Sequence, residues 1–215
     1  MRILYYIFYT ASIILMAATV FLEFIPIYFS EINILIFSAF AAALLIAAGK
    51  IKLARLKNAG EKIKTIGKFV WILFIFYAAN LIVLLFLSYG RTAANLINSD
   101  MSYEKYFREY TNFIPFGTIR ATFDAFAHGN LRYALVITLG NIFAFAPMAF
   151  FIPTLFKRVN NLKRFAILMI SVIISVECLQ FITMTGSCDI DDFILNAFGA
   201  IISYKIFQIK QNLTI

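Results

Sequence analysis

Glu177-Cys-Leu-Gln-Phe-Ile-Thr-Met-Thr-Gly-Ser-Cys-Asp-Ile-Asp-Asp-Phe-Ile-Leu-Asn-Ala-Phe-Gly199 is the stretch that decides the fold of this chain. It places one carboxylate, Glu177, inside an apolar run and three more, Asp189, Asp191 and Asp192, shortly after that run. A charge near the bilayer centre costs about 3 kcal/mol on insertion scales, so an ionisable residue within a span indicates a functional position. The stretch therefore predicts two membrane helices joined by an acidic turn.

The composition of the whole chain is that of an integral membrane protein. Hydrophobic residues make up 62% of the 215 positions and charged residues only 14%, whereas soluble domains carry roughly 25% charged residues. This length leaves no room for a second globular domain beside several spans. We therefore predict an all-α fold, a polytopic bundle of transmembrane helices.

The basic residues indicate topology rather than a nucleic-acid partner. The formal charge of +8 comes largely from two short loops, Lys50–Lys68 and Lys157–Arg164. Clusters of Lys and Arg between spans are typical of cytoplasmic loops, and a duplex needs a soluble basic surface that this chain lacks. Cys178 and Cys188 fit no metal or redox spacing, and we expect no disulfide between them.

Apolar runs of about 20 residues, the length needed to cross a bilayer, predict about six spans. With both basic loops inside, both termini lie in the cytoplasm. The chain divides into residues 1–68, two N-terminal spans and a basic loop, and residues 69–209, a helical membrane domain. The expected spans are Ile3–Leu22, Ile32–Gly49, Phe69–Ser88, Tyr133–Phe156, Phe165–Thr185 and a sixth built on Phe193–Tyr204.

Residues 89–132 form the one long polar segment, which this topology places outside, between spans three and four. Helical spacing of Tyr103, Tyr106, Phe107 and Tyr110 predicts an amphipathic helix whose aromatic face lies at the membrane interface. The Pro and Gly of the stretch 112–117 should end that helix. A second short amphipathic turn follows, built on Ile119, Phe123 and Phe126, and His128 after it is expected to be an ordinary loop residue.

Three spans offer polar side chains at one depth below the outer surface. At a rise of 1.5 Å per residue, Glu177, Asn196 and Asn141 fall at similar levels of the fifth, sixth and fourth spans. Gln180 shares the helix face of Glu177, and Asp192 shares that of Asn196, because residues three or four apart are neighbours. We expect Gly140 and Gly199 to let these helices approach closely.

This cluster has structural interpretations as well as functional ones. The polar side chains could form a hydrogen-bonded knot that joins three helices, with Glu177 protonated or paired to Arg120. Asp189 or Asp191 could cap the sixth helix, since carboxylates favour helix N-termini. A Mg²⁺ or Ca²⁺ site is conceivable from the three aspartates, but no spacing motif supports it, so we predict no metal and no cofactor.

Four groups of residues resemble, in order and spacing, the VanZ-like family of membrane proteins. They are Asn112-Phe-Ile-Pro-Phe-Gly-Thr-Ile-Arg120, Gly140-Asn141 with Phe145-Ala-Pro147, Glu177-x-x-Gln180, and Asp189-Ile-Asp-Asp192-x-x-x-Asn196-x-x-Gly199. The resemblance covers roughly residues 80–205, so the domain at 69–209 is VanZ-like and the first two spans lie outside it. Many members carry an Arg shortly before the acidic run, where this chain has Gly186-Ser187-Cys188.

The resemblance implies a function in the cell envelope, because the family's namesake is associated with low-level resistance to teicoplanin, a lipidated glycopeptide antibiotic. We expect a multi-pass plasma-membrane protein whose partners are membrane lipids and a lipoglycopeptide or lipid-linked envelope precursor. No catalytic residue is assigned. The candidate binding or acid–base residues are Glu177, Gln180, Asp189, Asp191, Asp192, Asn196, Asn141, Arg120 and Asn112.

Two further hypotheses stay open beside antibiotic protection. One is an enzyme acting on a lipid or lipid-linked head group, with Glu177 or Asp192 as general acid or base and Arg120 holding an anionic group. Covalent catalysis has little support, since the chain has a single His and no Ser–His or Cys–His pair is evident. The other is a structural organiser of the membrane.

Overall fold

The computed structural model describes residues 1–24, 31–87 and 101–212, and it is about 81% helical. The all-α prediction is therefore confirmed. The chain divides into two compact units, Met1–Thr92 and Ala93–Ile215.

The first unit contains three long helices. They are α1 (Arg2–Leu22), α2 (Glu31–Leu53) and α3 (Ala59–Ile82), and a π-helical turn over Val83–Leu87 continues α3. Asn58 begins α3, because its Oδ1 accepts hydrogen bonds from the backbone N–H groups of Gly60 at 2.7 Å and Glu61 at 3.4 Å. This is the usual way in which an Asn satisfies the free N–H groups of a first turn.

The interior of the first unit is apolar and built on small residues. Met16 of α1 packs against Ala41 and Leu45 of α2, and aromatic side chains such as Phe69 and Phe76 of α3 cover them. Small side chains let membrane helices approach closely enough for dense van der Waals packing, which is the main attraction available where lipid is as apolar as the helices.

The described residues of the second unit, 101–212, form six helices and two very short strands. They are α4 (Tyr103–Tyr110), β1 (Thr111–Asn112), α5 (Gly117–Ala127), α6 (Leu131–Ala144), α7 (Met148–Leu155), α8 (Leu162–Ile182), β2 (Cys188–Asp189) and α9 (Ile190–Asn212). The predicted fourth span is interrupted at residues 145–147, between α6 and α7. Pro147 lies at this break, where its missing N–H and fixed φ suit the start of a new helix better than the middle of one.

Five described helical segments are long and apolar enough to cross a membrane, so the chain is membrane-embedded. They are Arg2–Leu22, Asn33–Leu53, Ala59–Leu87, Thr138–Leu155 and Leu162–Ile182. They correspond in order to the first five predicted spans. The helix α9 is as long as α2, at 23 residues, but it begins with Asp191 and Asp192 and is not among the five. A sixth span therefore stays a prediction.

Candidate functional site

Asp189 joins the start of α9 to the distant segment before α5. Its Oδ2 accepts a hydrogen bond from the hydroxyl of Thr118 at 2.5 Å. Its Oδ1 accepts from the amide of Asn112 at 3.2 Å and from the backbone N–H of Asp191 at 2.9 Å. The last contact is the N-cap geometry predicted for one of the first two aspartates, and it is confirmed for Asp189.

Asp191 caps a different helix from its own. Its side chain is fully buried, and it accepts the backbone N–H groups of Phe116 at 2.6 Å and Ile119 at 3.0 Å. These N–H groups belong to the first turn of α5, where the partial positive charge of the helix dipole favours a carboxylate. The sequence predicted a cap on the helix that carries Asp191, but the structure places this carboxylate on α5 instead.

We use the name carboxylate latch for four residues and the backbone that they hold: Asn112, Thr118, Asp189 and Asp191. The strands β1 and β2 reinforce it, pairing in parallel with Thr111 opposite Cys188 and Asn112 opposite Asp189. The hydroxyl of Tyr106 donates to the carbonyl of Gly186 at 2.6 Å, and the ring is fully buried. Tyr106 was predicted to lie on an interfacial aromatic face, but it packs inward because its hydroxyl has this partner, whereas Tyr103 and Phe107 are exposed.

The latch holds one residue in a strained backbone conformation. Phe116 has φ 68° and ψ 7°, in the left-handed region that bulky side chains seldom adopt. Such conformations cost about 1–3 kcal/mol and persist where surrounding contacts fix them. The hydrogen bond from the N–H of Phe116 to Asp191 is such a contact.

The helices α8 and α9 pack in an antiparallel register that sets Glu177 level with Asp192. Phe165, near the start of α8, stacks on Tyr204 of α9 with ring centroids 4.4 Å apart. Glu177 follows Phe165 by as many residues as Asp192 precedes Tyr204, so at 1.5 Å per residue both lie about 18 Å from the stacked rings. Four residues on the buried face of α8 lead from this stack to the polar end: Met169, Ile173, Glu177 and Gln180.

We call Asn141, Glu177, Gln180, Asp192 and Asn196 the polar layer. Glu177, Gln180 and Asn196 are each more than nine-tenths buried. The amide of Asn141, on α6, donates a hydrogen bond to Oδ1 of Asp192. Buried polar side chains of α8 and α9 therefore lie inside the second unit, and the amide of Asn141 joins α6 to α9.

A glycine contact brings α9 against α6 directly below the polar layer. A Cβ atom on Gly199 would lie 1.9 Å from the carbonyl oxygen of Ile142, so no larger residue fits. The predicted close approach is therefore confirmed for Gly199. It is wrong for Gly140, where an added Cβ would meet no atom of the described residues within 4 Å.

Comparison with known proteins places this arrangement in a family. The family model described as VanZ/LLP1 matches residues 74–211, well over half of the chain. The chain belongs to the VanZ/LLP1 family. No curated protein and no solved structure matches it.

The matched region of this VanZ/LLP1 protein contains all nine candidate residues, and the structure divides eight of them between two groups. Asn112, Asp189 and Asp191 belong to the carboxylate latch, and the five polar-layer residues lie on α6, α8 and α9. Arg120 belongs to neither group. It is exposed on α5, and within residues 1–24, 31–87 and 101–212 no ion pair joins it to Glu177.

The three aspartates of the acidic turn point to different partners. Asp189 faces Asn112 and Thr118, Asp191 faces the start of α5, and Asp192 faces Asn141. Among the described residues no group of three or more acidic, His or Cys side chains could hold a metal ion. His128 lies in the exposed turn after α5, with Nδ1 2.7 Å from the carbonyl of Asp124.

Two thiols lie near the site, and both are free. Burial raises the pKa of the Cys188 thiol, and the negative charges of Glu177, Cys178 and Asp189 raise it further. The effect of Glu177 on Cys188 is consistent with the register that brings this carboxyl to the start of α9.

Thr118 is the latch residue that the sequence did not single out. It is an ordinary Thr in a short helix, and its hydrogen bonds to Asp189 and from Asn112 give it a role. Its place after Gly117, in the motif 112–120 that resembles the VanZ-like family, was the sequence signal that could have pointed to it.

Proposed function

We propose that this VanZ/LLP1 protein lowers the sensitivity of the cell to a lipoglycopeptide antibiotic of the teicoplanin type. In this proposal the polar layer is the binding site for the antibiotic, or for a lipid-linked envelope component that the protein alters. The carboxylate latch holds the segment Ser102–Ala127 over the end of the α8–α9 pair, so it positions the site rather than forming it.

The observation that carries the proposal is the side chain of Asn196. Its Oδ1 is buried and accepts no hydrogen bond from the described part of the chain. Leaving a buried acceptor without a donor costs about 1–3 kcal/mol, so proteins seldom keep one without a reason. An acceptor of this kind, one helical turn from Asp192, suits the recognition of a polar group that enters from outside the chain.

The proposal also fixes how the protein lies in its membrane. We infer six spans in the plasma membrane, with α9 as the sixth and with both termini in the cytoplasm, because this places both basic loops inside. The polar layer then lies below the outer surface. Residues 1–68 form an addition to the VanZ-like domain of residues 69–209.

Susceptibility measurements on two variants test the proposal. We expect Glu177→Gln and Asp192→Asn to reach the membrane at near wild-type levels, because each keeps its size and a hydrogen-bonding carbonyl. Both should abolish protection of a sensitive host against teicoplanin, since the site needs the charge or the proton. Vancomycin, which lacks the lipid chain, serves as the comparison drug.

Glu61→Gln is the matched control, because Glu61 is an exposed carboxylate in the first unit. It should protect as well as the wild type. Full protection by both site variants would refute the acidic-site mechanism and favour the structural interpretation.

A second candidate function is favoured by the register of Glu177 and Asp192. Two carboxyl groups at one level, beside a buried amide, are an arrangement in which one can donate a proton while the other accepts. The protein would then be an enzyme acting on a lipid-linked head group. Turnover of a purified lipid-linked precursor by the wild type, and its loss in Glu177→Gln, would favour this candidate over simple binding.

A further inference from the structure

The first unit carries a dense group of positive charges at one end of its helices. Between residues 50 and 68 there are seven basic residues and one acidic residue, Glu61. We call the seven the basic collar: Lys50, Lys52, Arg55, Lys57, Lys62, Lys64 and Lys68. All of them are exposed except Lys52, which is half-buried with its Nζ 5.4 Å from the ring centroid of Tyr5.

The charges of the collar are not neutralised within the described part of the chain. No ion pair there involves any of the seven residues, and the ion pairs that do form join residues of α4. Seven cations without a carboxylate partner at one membrane surface repel one another, so an external source of negative charge stabilises them.

The length of α3 places the collar at the depth of lipid head groups. The segment Ala59–Leu87 has 29 residues and is therefore about 43 Å long at 1.5 Å per residue, whereas the hydrocarbon core is about 30 Å thick. The far end, Val83–Leu87, is wholly apolar. The excess of about 13 Å therefore lies at the beginning of α3, which carries Lys62 and Lys64.

Two apolar side chains and one aromatic side chain mark where the hydrocarbon meets the head groups along α3. Ile63 and Ile66 are 70% and 46% exposed among these lysines, as expected for side chains that enter the edge of the bilayer. Trp71 follows one turn after Lys68 and is 42% exposed, and Trp is enriched where hydrocarbon meets head groups.

We propose that the basic collar binds anionic phospholipid head groups and enriches such lipids in the leaflet around α2 and α3. Basic clusters of four to eight residues beside a span attract anionic lipid by a factor of about five for each residue near the surface. The collar lies wholly outside the region that the family model matches. Its lipid binding is therefore separate from the polar layer and from any protection that the layer provides.

The protein contains its own probe for this proposal, because Trp71 is the single tryptophan of the chain. The full chain is reconstituted in vesicles of phosphatidylcholine and phosphatidylglycerol, with one or the other lipid brominated on its acyl chains, and quenching of Trp71 fluorescence is measured. Both leaflets have the same composition, so the orientation of the protein does not affect the result. We expect brominated phosphatidylglycerol to quench severalfold more strongly than brominated phosphatidylcholine at equal mole fraction. Raising the salt should reduce the difference.

A pair of variants with equal charge change separates the collar from a general effect of net charge. Lys64→Gln/Lys68→Gln should lower the preference for phosphatidylglycerol severalfold. Lys105→Gln/Arg108→Gln, which changes two exposed side chains of α4, should leave it unchanged. Glutamine is nearly as good a helix former as lysine and these side chains are exposed, so both variants should fold.

Three results would overturn the proposal. One is equal quenching by the two brominated lipids at low salt. Another is an equal loss of preference in both double variants. The third is a loss of preference caused by inorganic phosphate but not by chloride at the same ionic strength, which would mean that the collar binds free phosphate rather than a lipid surface.

Discussion

The two units of this protein differ in what they bury. The first unit packs Met16, Ala41 and Leu45 together, and its buried hydroxyls at Ser12 and Thr19 bond to carbonyls of their own helix. The second unit buries Glu177, Gln180, Asp189, Asp191 and Asn196. Buried carboxylates are costly unless they are paired or hydrogen-bonded.

The difference shows how each unit acquires a defined structure. In the first unit, packing between small and large apolar side chains dominates, and the buried hydroxyls of Ser12 and Thr19 bond within their own helix. In the second unit, carboxylates accept hydrogen bonds from residues more than 70 positions away in sequence. Such contacts specify which segments meet. They also keep carboxylates, which can react, in the interior of the second unit.

Gly199→Ala should have the largest effect, because its Cβ would collide with backbone rather than with a side chain. We expect a loss of about 3 kcal/mol in the second unit, at the upper end of overpacking effects. In the first unit, Gly49→Ala meets the ring of Phe69 at 3.3 Å, and a ring can move, so the loss should stay below about 1 kcal/mol. Thermal unfolding in detergent measures both.

Gly140→Ala is the control for helix propensity in the same unit. In the described part of the chain its Cβ meets nothing within 4 Å, so it should stabilise α6 by up to about 1 kcal/mol. Equal losses at Gly199 and Gly49 would contradict the close contact of α9 with α6.

Removal of the latch carboxylate should have the next largest effect. Asp191→Ala leaves the N–H groups of Phe116 and Ile119 without their acceptor, and we expect a loss of about 2–3 kcal/mol. Asp191→Asn keeps one acceptor oxygen and should lose about half as much. Thr19→Val in the first unit should change stability by less than about 0.5 kcal/mol, since the Met16 carbonyl keeps its helical bond. A large effect at Thr19 would remove the contrast between the units.

The one buried carboxyl of the described first unit, Glu23, should make that unit sensitive to pH. Burial raises the pKa of Glu23 from 4.5 to about 7, so folding favours the protonated form. The stabilisation is complete below pH 4.5 and is lost as the pH rises through about 7. Stability of the first unit, followed by Trp71 fluorescence, should fall by about 1–2 kcal/mol between pH 5 and 8.

Glu23→Gln should remove this dependence, because an amide does not titrate. An unchanged pH profile in that variant would assign the effect to another group.

The smallest expected effect is a change in the reactivity of Cys188 with the charge of Glu177. In a Cys178→Ala background, alkylation of Cys188 should be slow at pH 7 and faster as the pH rises, since burial raises the thiol pKa and the thiolate is the reactive form. Glu177→Gln removes a negative charge that also raises this pKa, so it should speed alkylation at a given pH. An unchanged rate, with the same fold, would mean that Glu177 is uncharged.

The helices and the shared helix face of Glu177 and Gln180 could be predicted because they depend on local properties. A run of about 20 apolar residues predicts a span wherever it occurs, and the spacing of Glu177 and Gln180 places both on one face of α8. The charged ends of α9 made its span the weakest prediction, for the same reason that α9 is absent from the five apolar segments.

The latch could not be predicted, because it depends on which distant segments meet. Nothing local indicates that Phe116 adopts a left-handed conformation or that Asp191 caps α5 rather than α9. Likewise, Tyr106 has the spacing of an interfacial aromatic residue, and its burial depends on distant contacts with the carbonyl of Gly186 and the ring of Phe181.

The sequence separation within the latch has a consequence for how the protein is made. Phe116 is synthesised 75 residues before Asp191, and at 5–20 residues per second this is an interval of roughly 4–15 s. During that interval the beginning of α5 lacks its carboxylate, and exposed rings such as Phe113 and Phe123 have to be sheltered by lipid or by the insertion machinery. Emergence of the acidic turn ends this waiting period, so a chain released before Asp189 would leave the segment Ser102–Ala127 open to proteolysis.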